Sequence, residues 1–363
     1  MGIATAGEPP HHESFRGWLG RGLAGPTGAW LTYHEPLRRS PSAVLEGARS
    51  IVMLATDHAA AAPAAEQGRG RMARYAWGDD YHDLLRERLN ALAAWLESRL
   101  PGCRAHGVVD SAPLAERDFA WLAGLGWFGK NTMLIDPHAG SYFLLSALLT
   151  DAVLPADSPL QVDHCGTCTA CLDACPTGAL PEPRVLDATR CISSLTIEER
   201  GPIPPHLRQG MGDWVFGCDV CQEVCPWNRH APGTTDPAFQ PRTGAATLSL
   251  AELLRLDEAG FRERFRGSPL LRAKRRGLLR SAAIALGNRP DPASFDALAA
   301  ALGDVDPVVR GAAAWALGRW RAGVDANLAS RAEAALRGRE TAESDGSARA
   351  ELVAALADSG GAP

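Results

Sequence analysis

The sequence predicts a multidomain α+β/α protein: an N-terminal α/β domain, a cysteine-rich module and an α-helical tail. Three observations carry that prediction. Short apolar runs alternate with an amphipathic helix before residue 160, eight of the nine cysteines fall between Cys165 and Cys225, and the C-terminal part echoes itself.

The first domain is expected over residues 1–160. Residues 1–35, broken up by Gly, Pro and Ala, predict no element. Residues 50–55 are short, apolar and partly β-branched, as a buried strand is. The Ala-, Pro- and Gly-rich stretch 58–70 reads as a loop. Over residues 81–100, Tyr81, Leu84, Leu85, Leu89, Leu92, Leu96 and Leu100 fall on one helical stripe, which Pro101 and Gly102 end. Residues 107–110 read as a short strand, 115–123 as a helix, and 133–136 and 142–149 as further apolar elements. Strands alternating with helices imply an α/β domain. Gly124, Gly126 and Gly129 match the G-x-G-x-x-G of dinucleotide-binding loops. That fingerprint must follow a strand and open a helix, whose N-terminus meets the pyrophosphate. A helix is expected before this one and a strand after it, so the match carries no nucleotide site.

The cysteine-rich module is expected over residues 161–232. Cys165, Cys168, Cys171 and Cys175, followed by Pro176, have the C-x2-C-x2-C-x3-C-P spacing of two-cluster bacterial ferredoxins, in which the fourth thiolate ligates the other cluster. A second run, Cys218, Cys221 and Cys225 before Pro226, has three cysteines. If the last thiol of each run crosses over, one 4Fe-4S cluster has Cys165, Cys168, Cys171 and Cys225. The other has Cys175, Cys218 and Cys221, and Cys191 completes it. Zinc fits poorly, because its sites come as paired knuckles of four ligands. Disulfides need an oxidising compartment. Cys103 stands apart as an inert thiol.

A chain of 363 residues, 22% charged and 46% hydrophobic, is ordinary for a soluble globular protein of two or three domains. There is no signal-peptide pattern, no twin arginine, and no apolar run near the ~20 residues of a membrane helix. A cytoplasmic protein acting as a monomer, with no membrane partner, is expected. The net charge of −5 hides an asymmetry: residues 261–280 carry +7, leaving −12 on the rest. A basic block on an acidic body suggests a polyanion site, although a charge run is often only a solvated face. Residues 233–275 read as a linker with this basic segment. In the tail, 276–363, the stretch from Leu279 to Asn288 is echoed from Val309 to Arg319, and a degenerate copy follows around Ala348 to Leu356. Such self-similarity suggests HEAT-like helical repeats.

Spacing alone supports electron transfer through two clusters in series. Further stretches carry a resemblance: Ala73 to His82, Val109-Asp110-Ser-Ala-Pro113, Gly124 to Thr132 with Lys130 and Asn131, Cys191 to Glu198, and Cys225-Pro-Trp-Asn228. In this order they resemble the epoxyqueuosine reductase family, from about residue 16 to 290. The resemblance implies a cobalamin-dependent enzyme with two 4Fe-4S clusters and an α/β cobalamin-binding domain resembling reductive dehalogenases. It would reduce epoxyqueuosine to queuosine at the wobble position of tRNA, fed by an external one-electron reductant of the ferredoxin or flavodoxin type. It implies Asp110 as proton donor, facing a dry pocket that raises its pKa. Arg38, Ala73, Asp110, Leu134, Asp136, Ser193, Asp219 and Val220 would line the base-off cobalamin. No histidine ligand to cobalt is expected, because Leu85 replaces the glycine of D-x-H-x-x-G, and His82 reads as a packed helix residue. Lys130 and Asn131 are expected to order the pocket or meet the substrate nucleotide, and Arg272, Lys274, Arg275, Arg276 and Arg280 are the expected tRNA contacts. Ser281 stands where the family tends to have Asn, a difference that would matter if that side chain met RNA. The rival readings are a reductive dehalogenase-like oxidoreductase and a non-catalytic ferredoxin-type carrier or tRNA scaffold.

Overall fold

In a computed structural model of the chain, all residues are described except 65, 243, 244, 324 and 358–363. They form two compact units, each assembled from separate stretches. One comprises Met1–Ala61, Gly78–Cys191 and Asp219–Gln240; the other Ala62–Trp77, Ile192–Cys218 and Pro241–Pro363. Four consecutive segments, as the sequence suggested, do not coincide with these units, because strand pairing draws together stretches far apart in the chain.

The first unit is built on a four-stranded sheet in which Gly2–Thr5, Ser50–Asp57, Phe143–Thr150 and Ala105–Val108 are neighbours in that order. Every pairing is antiparallel, with Ile51 opposite Leu149 and Gly107 opposite Leu148. The alternation of strands and helices in the sequence set no strand direction. The local pattern located the inner strands, but their direction depends on pairing at a distance. The edge strand Gly2–Thr5 lies where composition predicted nothing. The sheet and the helix Glu116–Leu122 bury Ile51, Met53, Phe119, Ala147 and Leu149 in one core, and each fully buried large apolar side chain is worth about 1.5–3 kcal/mol.

The helix Tyr81–Arg99 starts at Asp80, whose carboxylate accepts the His82 amide hydrogen. It buries Tyr81, Leu85, Leu89 and Leu96 as the stripe predicts, while Leu100 ends outside it, 39% exposed. The strand beneath contains Gly107, where a Cβ would stand 2.5 Å from the Leu89 Cβ, so the close helix-to-sheet approach requires glycine there. The Gly124-x-Gly126 segment follows a helix and leads into a hairpin of Trp127–Phe128 with Leu134–Ile135. No helix N-terminus opens there, as expected.

In the second unit Arg69–Met72 lies between Trp214–Phe216, to which it is parallel, and Thr247–Ser249, to which it is antiparallel. This central strand was unseen, and its first two residues fall in the stretch read as loop. The helix Lys274–Asn288 packs on Pro307–Gly323, which also packs on Gly346–Ala357. The echoed sequences sit on the first two. Ala282, Ala283, Ala285, Ala312, Ala313 and Ala316 are buried there, and small residues let helix axes approach closely. Among the described residues no helix is long and apolar enough to cross a membrane.

Candidate cluster module and proton-donor site

Seven of the eight module cysteines lie in the first unit; Cys218 ends a stretch of the second. All are free thiols. Cys171 and Cys221 sit on two short helices, Ala170–Asp173 and Val220–Glu223, which pack on each other. The neighbourhoods of the thiols join the two runs. Burial raises the Cys225 thiol, and Cys165 and Cys168 raise it further; burial raises Cys171, which has Cys165, Cys225 and Cys168 around it. Cys221 is pushed up by burial and by Cys191, Asp219, Cys171 and Cys175. These pockets disfavour bare thiolates, and the iron of a bound cluster would supply the compensating charge. Thiols gathered this way fit iron–sulfur clusters.

The surroundings hold these loops in place. Lys130 Nζ donates to the carbonyls of Gly166 (2.7 Å) and Cys168 (2.9 Å). Asn131 is buried; its amide donates to the Cys221 carbonyl and its oxygen accepts from Met133 N. Both side chains brace the thiol loops, the ordering role that was one of the two expected of them. Trp127 and Trp227 meet edge-on at 5.0 Å beside Cys225, with His164 against both. Asn228 accepts from Ser141 N (2.7 Å) and donates to the Gln222 carbonyl. Gly140, at φ +72°, leaves room for that Asn228 oxygen, which a Cβ would meet at 2.2 Å.

Asp110 follows the strand Ala105–Val108 at φ +48°, a conformation that side chains other than glycine visit at a cost. Its Oδ2 accepts from the Tyr81 hydroxyl (3.0 Å) and lies 3.2 Å from His82 Nε2. His82 Nδ1 lies 2.8 Å from Asp80 Oδ1, and the Tyr81 and His82 rings stack at 4.0 Å. Burial opposes charge on His82, but Asp110 and Asp80 outweigh it and lift its pKa to about 9. The resemblance implied a dry pocket around Asp110 facing bound cobalamin, and the sequence read His82 as a packed helix residue. In the structure the Asp110 side chain is 63% exposed, and His82 is tied to two carboxylates. The signal was Asp80-Tyr81-His82 itself, read only for cobalt ligation.

Nearby, Arg38 donates to the Leu114 carbonyl. Its Nε and Glu116 Oε1 are sealed from solvent with no hydrogen-bond partner among the described residues. Burial, then the Asp110 charge, push Glu116 up to about 8, against the pull of Arg38. Nothing in the sequence marked Glu116. An orphan donor and an orphan acceptor beside Asp110 fit a cofactor with amide side chains, such as cobalamin. Of the other expected cofactor contacts, Leu134 lies in the core, Asp136 caps the turn at His138 and Ala139, Asp219 is buried, and Val220 opens its short helix. Ala73 and Ser193 belong to the second unit, Ala73 donating to the Phe216 carbonyl.

Comparison with known proteins decides the family. Residues 164–228 match the model of a 4Fe-4S double cluster binding domain, and residues 38–111 match "Epoxyqueuosine reductase QueG, DUF1730". The chain is 41% identical over 325 residues to epoxyqueuosine reductase of Pseudomonas aeruginosa, covering 88% of this chain and 90% of that one. This chain belongs to the epoxyqueuosine reductase family. The Escherichia coli epoxyqueuosine reductase is 38% identical over 323 residues, covering 87% and 84%. Solved epoxyqueuosine reductases share its fold: one from Bacillus subtilis, with a catalytic aspartate loop swung out of the active site, has a TM-score of 0.87 at 32% identity. Another, holding an epoxyqueuosine-modified tRNA stem loop, has a TM-score of 0.85 at 33% identity. Each match covers 98% of this chain and 93% of the other.

Several of the expected tRNA contacts need correction. Arg280 is fully buried, donating to the carbonyls of Leu195, Glu199 and Gly201. Arg275 is buried against Asp304. Neither can reach RNA, because each is held in the packing of its own unit. Arg272 and Arg276 are exposed but paired with Glu198 and Asp306 at 2.9 and 2.6 Å. Lys274 is exposed and makes no ion pair among the described residues. Ser281 is fully buried, so it does not meet RNA.

Proposed function

We propose that this chain reduces the epoxide of epoxyqueuosine to the cyclopentene of queuosine at the wobble position of tRNA, with Asp110 as proton donor. The observation that supports it most is membership of the epoxyqueuosine reductase family, joined to a double cluster domain and an acid site at Asp110. Two 4Fe-4S clusters, one on Cys165, Cys168, Cys171 and Cys225 and one on Cys175, Cys191, Cys218 and Cys221, would accept single electrons from a ferredoxin- or flavodoxin-type donor. Bound cobalamin would supply a strongly reducing centre that acts on the epoxide.

The residues of the chain do the rest. Arg38, with its unused Nε, and Glu116, with its unused Oε1, would hold cobalamin's amides, and no histidine would ligate its cobalt. Tyr81 and His82 hold the Asp110 carboxyl where it can deliver a proton to the departing oxygen. Lys274 would meet the phosphate backbone, with Arg272 and Arg276 free to exchange carboxylates for phosphates. The paired helices of the second unit read as HEAT-like repeats that support this basic edge. An anaerobic cytoplasmic reaction suits the reduced thiols.

The test is anaerobic reconstitution with iron, sulfide and cobalamin, followed by mass spectrometry of tRNA carrying epoxyqueuosine. The expected product is queuosine, 16 mass units lighter for the lost oxygen, about one per tRNA. Asp110→Ala should leave iron and corrinoid content unchanged and abolish turnover. Turnover by that variant would remove Asp110 from the proton chemistry.

A further inference from the structure

Epoxide reduction has a stoichiometry that one carboxyl cannot meet alone. Two electrons and two protons enter, both C–O bonds break, a C=C bond forms, and the oxygen leaves as water. The electrons come from the external one-electron donor; Asp110 holds one proton at a time. It must be reloaded within each turnover, at a moment when bound substrate and cofactor restrict water.

A route for that proton is built into the first unit. His82 lies between two carboxylates, Nδ1 at 2.8 Å from Asp80 Oδ1 and Nε2 at 3.2 Å from Asp110 Oδ2. Ionised carboxylates only accept, so the doubly protonated imidazolium satisfies both contacts at once. The ring is fixed in place: Asp80 also caps the helix through the His82 amide, and Tyr81 stacks on the imidazole while its hydroxyl donates to the same Asp110 oxygen. Asp80 and His82 side chains are 26% and 31% exposed, which opens this pair to solvent.

We propose that His82 is a positioning residue that reloads Asp110, with Asp80, His82 and Asp110 forming a relay that brings both protons from solvent to the epoxide oxygen. The imidazolium gives its Nε2 proton to Asp110 and keeps its Nδ1 proton on Asp80, so each reload leaves a neutral imidazole that takes up the next proton from solvent at Nε2. In the open site the shared proton rests on the imidazole. Covering the site disfavours the separated charges and moves it to the Asp110 carboxyl. The groups that set the charge on His82 are Asp80 at the start of its own helix and Asp110 from the neighbouring loop. Arg86 acts on Asp80, while Glu116, with Arg38 and Arg117 beside it, lies beyond Asp110. The inference rests on Asp110 as donor, and Asp110→Ala tests that separately.

The experiment compares wild type, His82→Gln and Glu116→Gln in single-turnover queuosine formation by pre-reduced holoenzyme from pH 6 to about 10. Glutamine keeps a donor to Asp110 but cannot shuttle a proton. In wild type the rate should fall as pH rises through about 9, where the imidazolium is lost. His82→Gln should be slower by about a hundredfold at neutral pH, without that alkaline limb and with unchanged tRNA affinity. Free imidazole should restore His82→Ala in part. Independently of turnover, the His82 ring resonance should titrate near 9, and move towards the ordinary 6.5 in Asp110→Asn. A His82→Gln enzyme with the wild-type rate and alkaline limb overturns the relay, as does loss of that limb in Glu116→Gln alone. If Asp110→Ala is inactive in the same series, the donor assignment survives that failure.

Discussion

Two dense runs of one chemistry mark this sequence, eight cysteines between Cys165 and Cys225 and eight basic side chains between Arg262 and Arg280, and the fold treats them differently. The thiols are free, and burial disfavours the thiolates of Cys171, Cys221 and Cys225. The cations are largely consumed: Arg262 pairs with Glu258, Arg264 with Glu252, Arg272 with Glu198, Arg275 with Asp304 and Arg276 with Asp306, while Arg280 holds backbone carbonyls. A cluster of one residue type signals binding only where the rest of the chain leaves it unanswered. Thiolates have no common partner among side chains; guanidinium groups find carboxylates everywhere.

The largest effects that would break or sharpen this contrast lie in the module. Cys225→Ala and Cys168→Ala should each lose the same cluster, and Cys175→Ala the other, so iron falls by about half in each case. Electron paramagnetic resonance of the reduced protein should show which signal is missing. If Cys225→Ala and Cys175→Ala lose the same signal, the thiolates do not cross.

Next comes the buried part of the basic run. Arg275→Met strands Asp304, and thermal or denaturant unfolding should report a loss of about 3–5 kcal/mol. Arg276→Ala, at an exposed pair, should cost no more than about 1 kcal/mol. Equal and small effects would mean that Arg275 is as available for ligands as the sequence suggested.

The same unit makes a pH prediction. Arg310 grips buried Glu343 with two hydrogen bonds, at 2.6 and 2.7 Å, and holds its pKa near 2, well below the ordinary 4.5. Because the folded pKa is depressed, the stabilisation is complete above about 4.5 and is lost as pH falls towards 2. Arg310→Met should flatten that part of the stability profile, followed by thermal unfolding under anaerobic conditions.

The smallest effect concerns Lys274. Lys274→Ala should reduce the slope of log affinity for tRNA against log salt by about 0.7–0.9, measured by filter binding. An unchanged slope would remove Lys274 from the RNA interface.

What the sequence made legible was local. The Cys spacing, the stripe from Tyr81 to Leu96 and the helix before Gly124 all lie within a few turns of chain. What it hid was distant in sequence: Arg275 meets Asp304 29 residues on, Arg272 meets Glu198 74 residues back, and His82 meets Asp110 28 residues on. The antiparallel sheet is the same lesson at larger scale, since residues 50–57 pair with 143–150. Lys130 and Asn131 were noticed, but a side chain that braces a loop carbonyl carries the same letters as one that binds a substrate.

The central claim, that these eight thiols hold two cubanes, is tested most directly by quantifying metal and acid-labile sulfide in the anaerobically purified protein. The account predicts about eight irons and eight sulfides per chain. Zinc in their place, or about four irons at full loading, would contradict it.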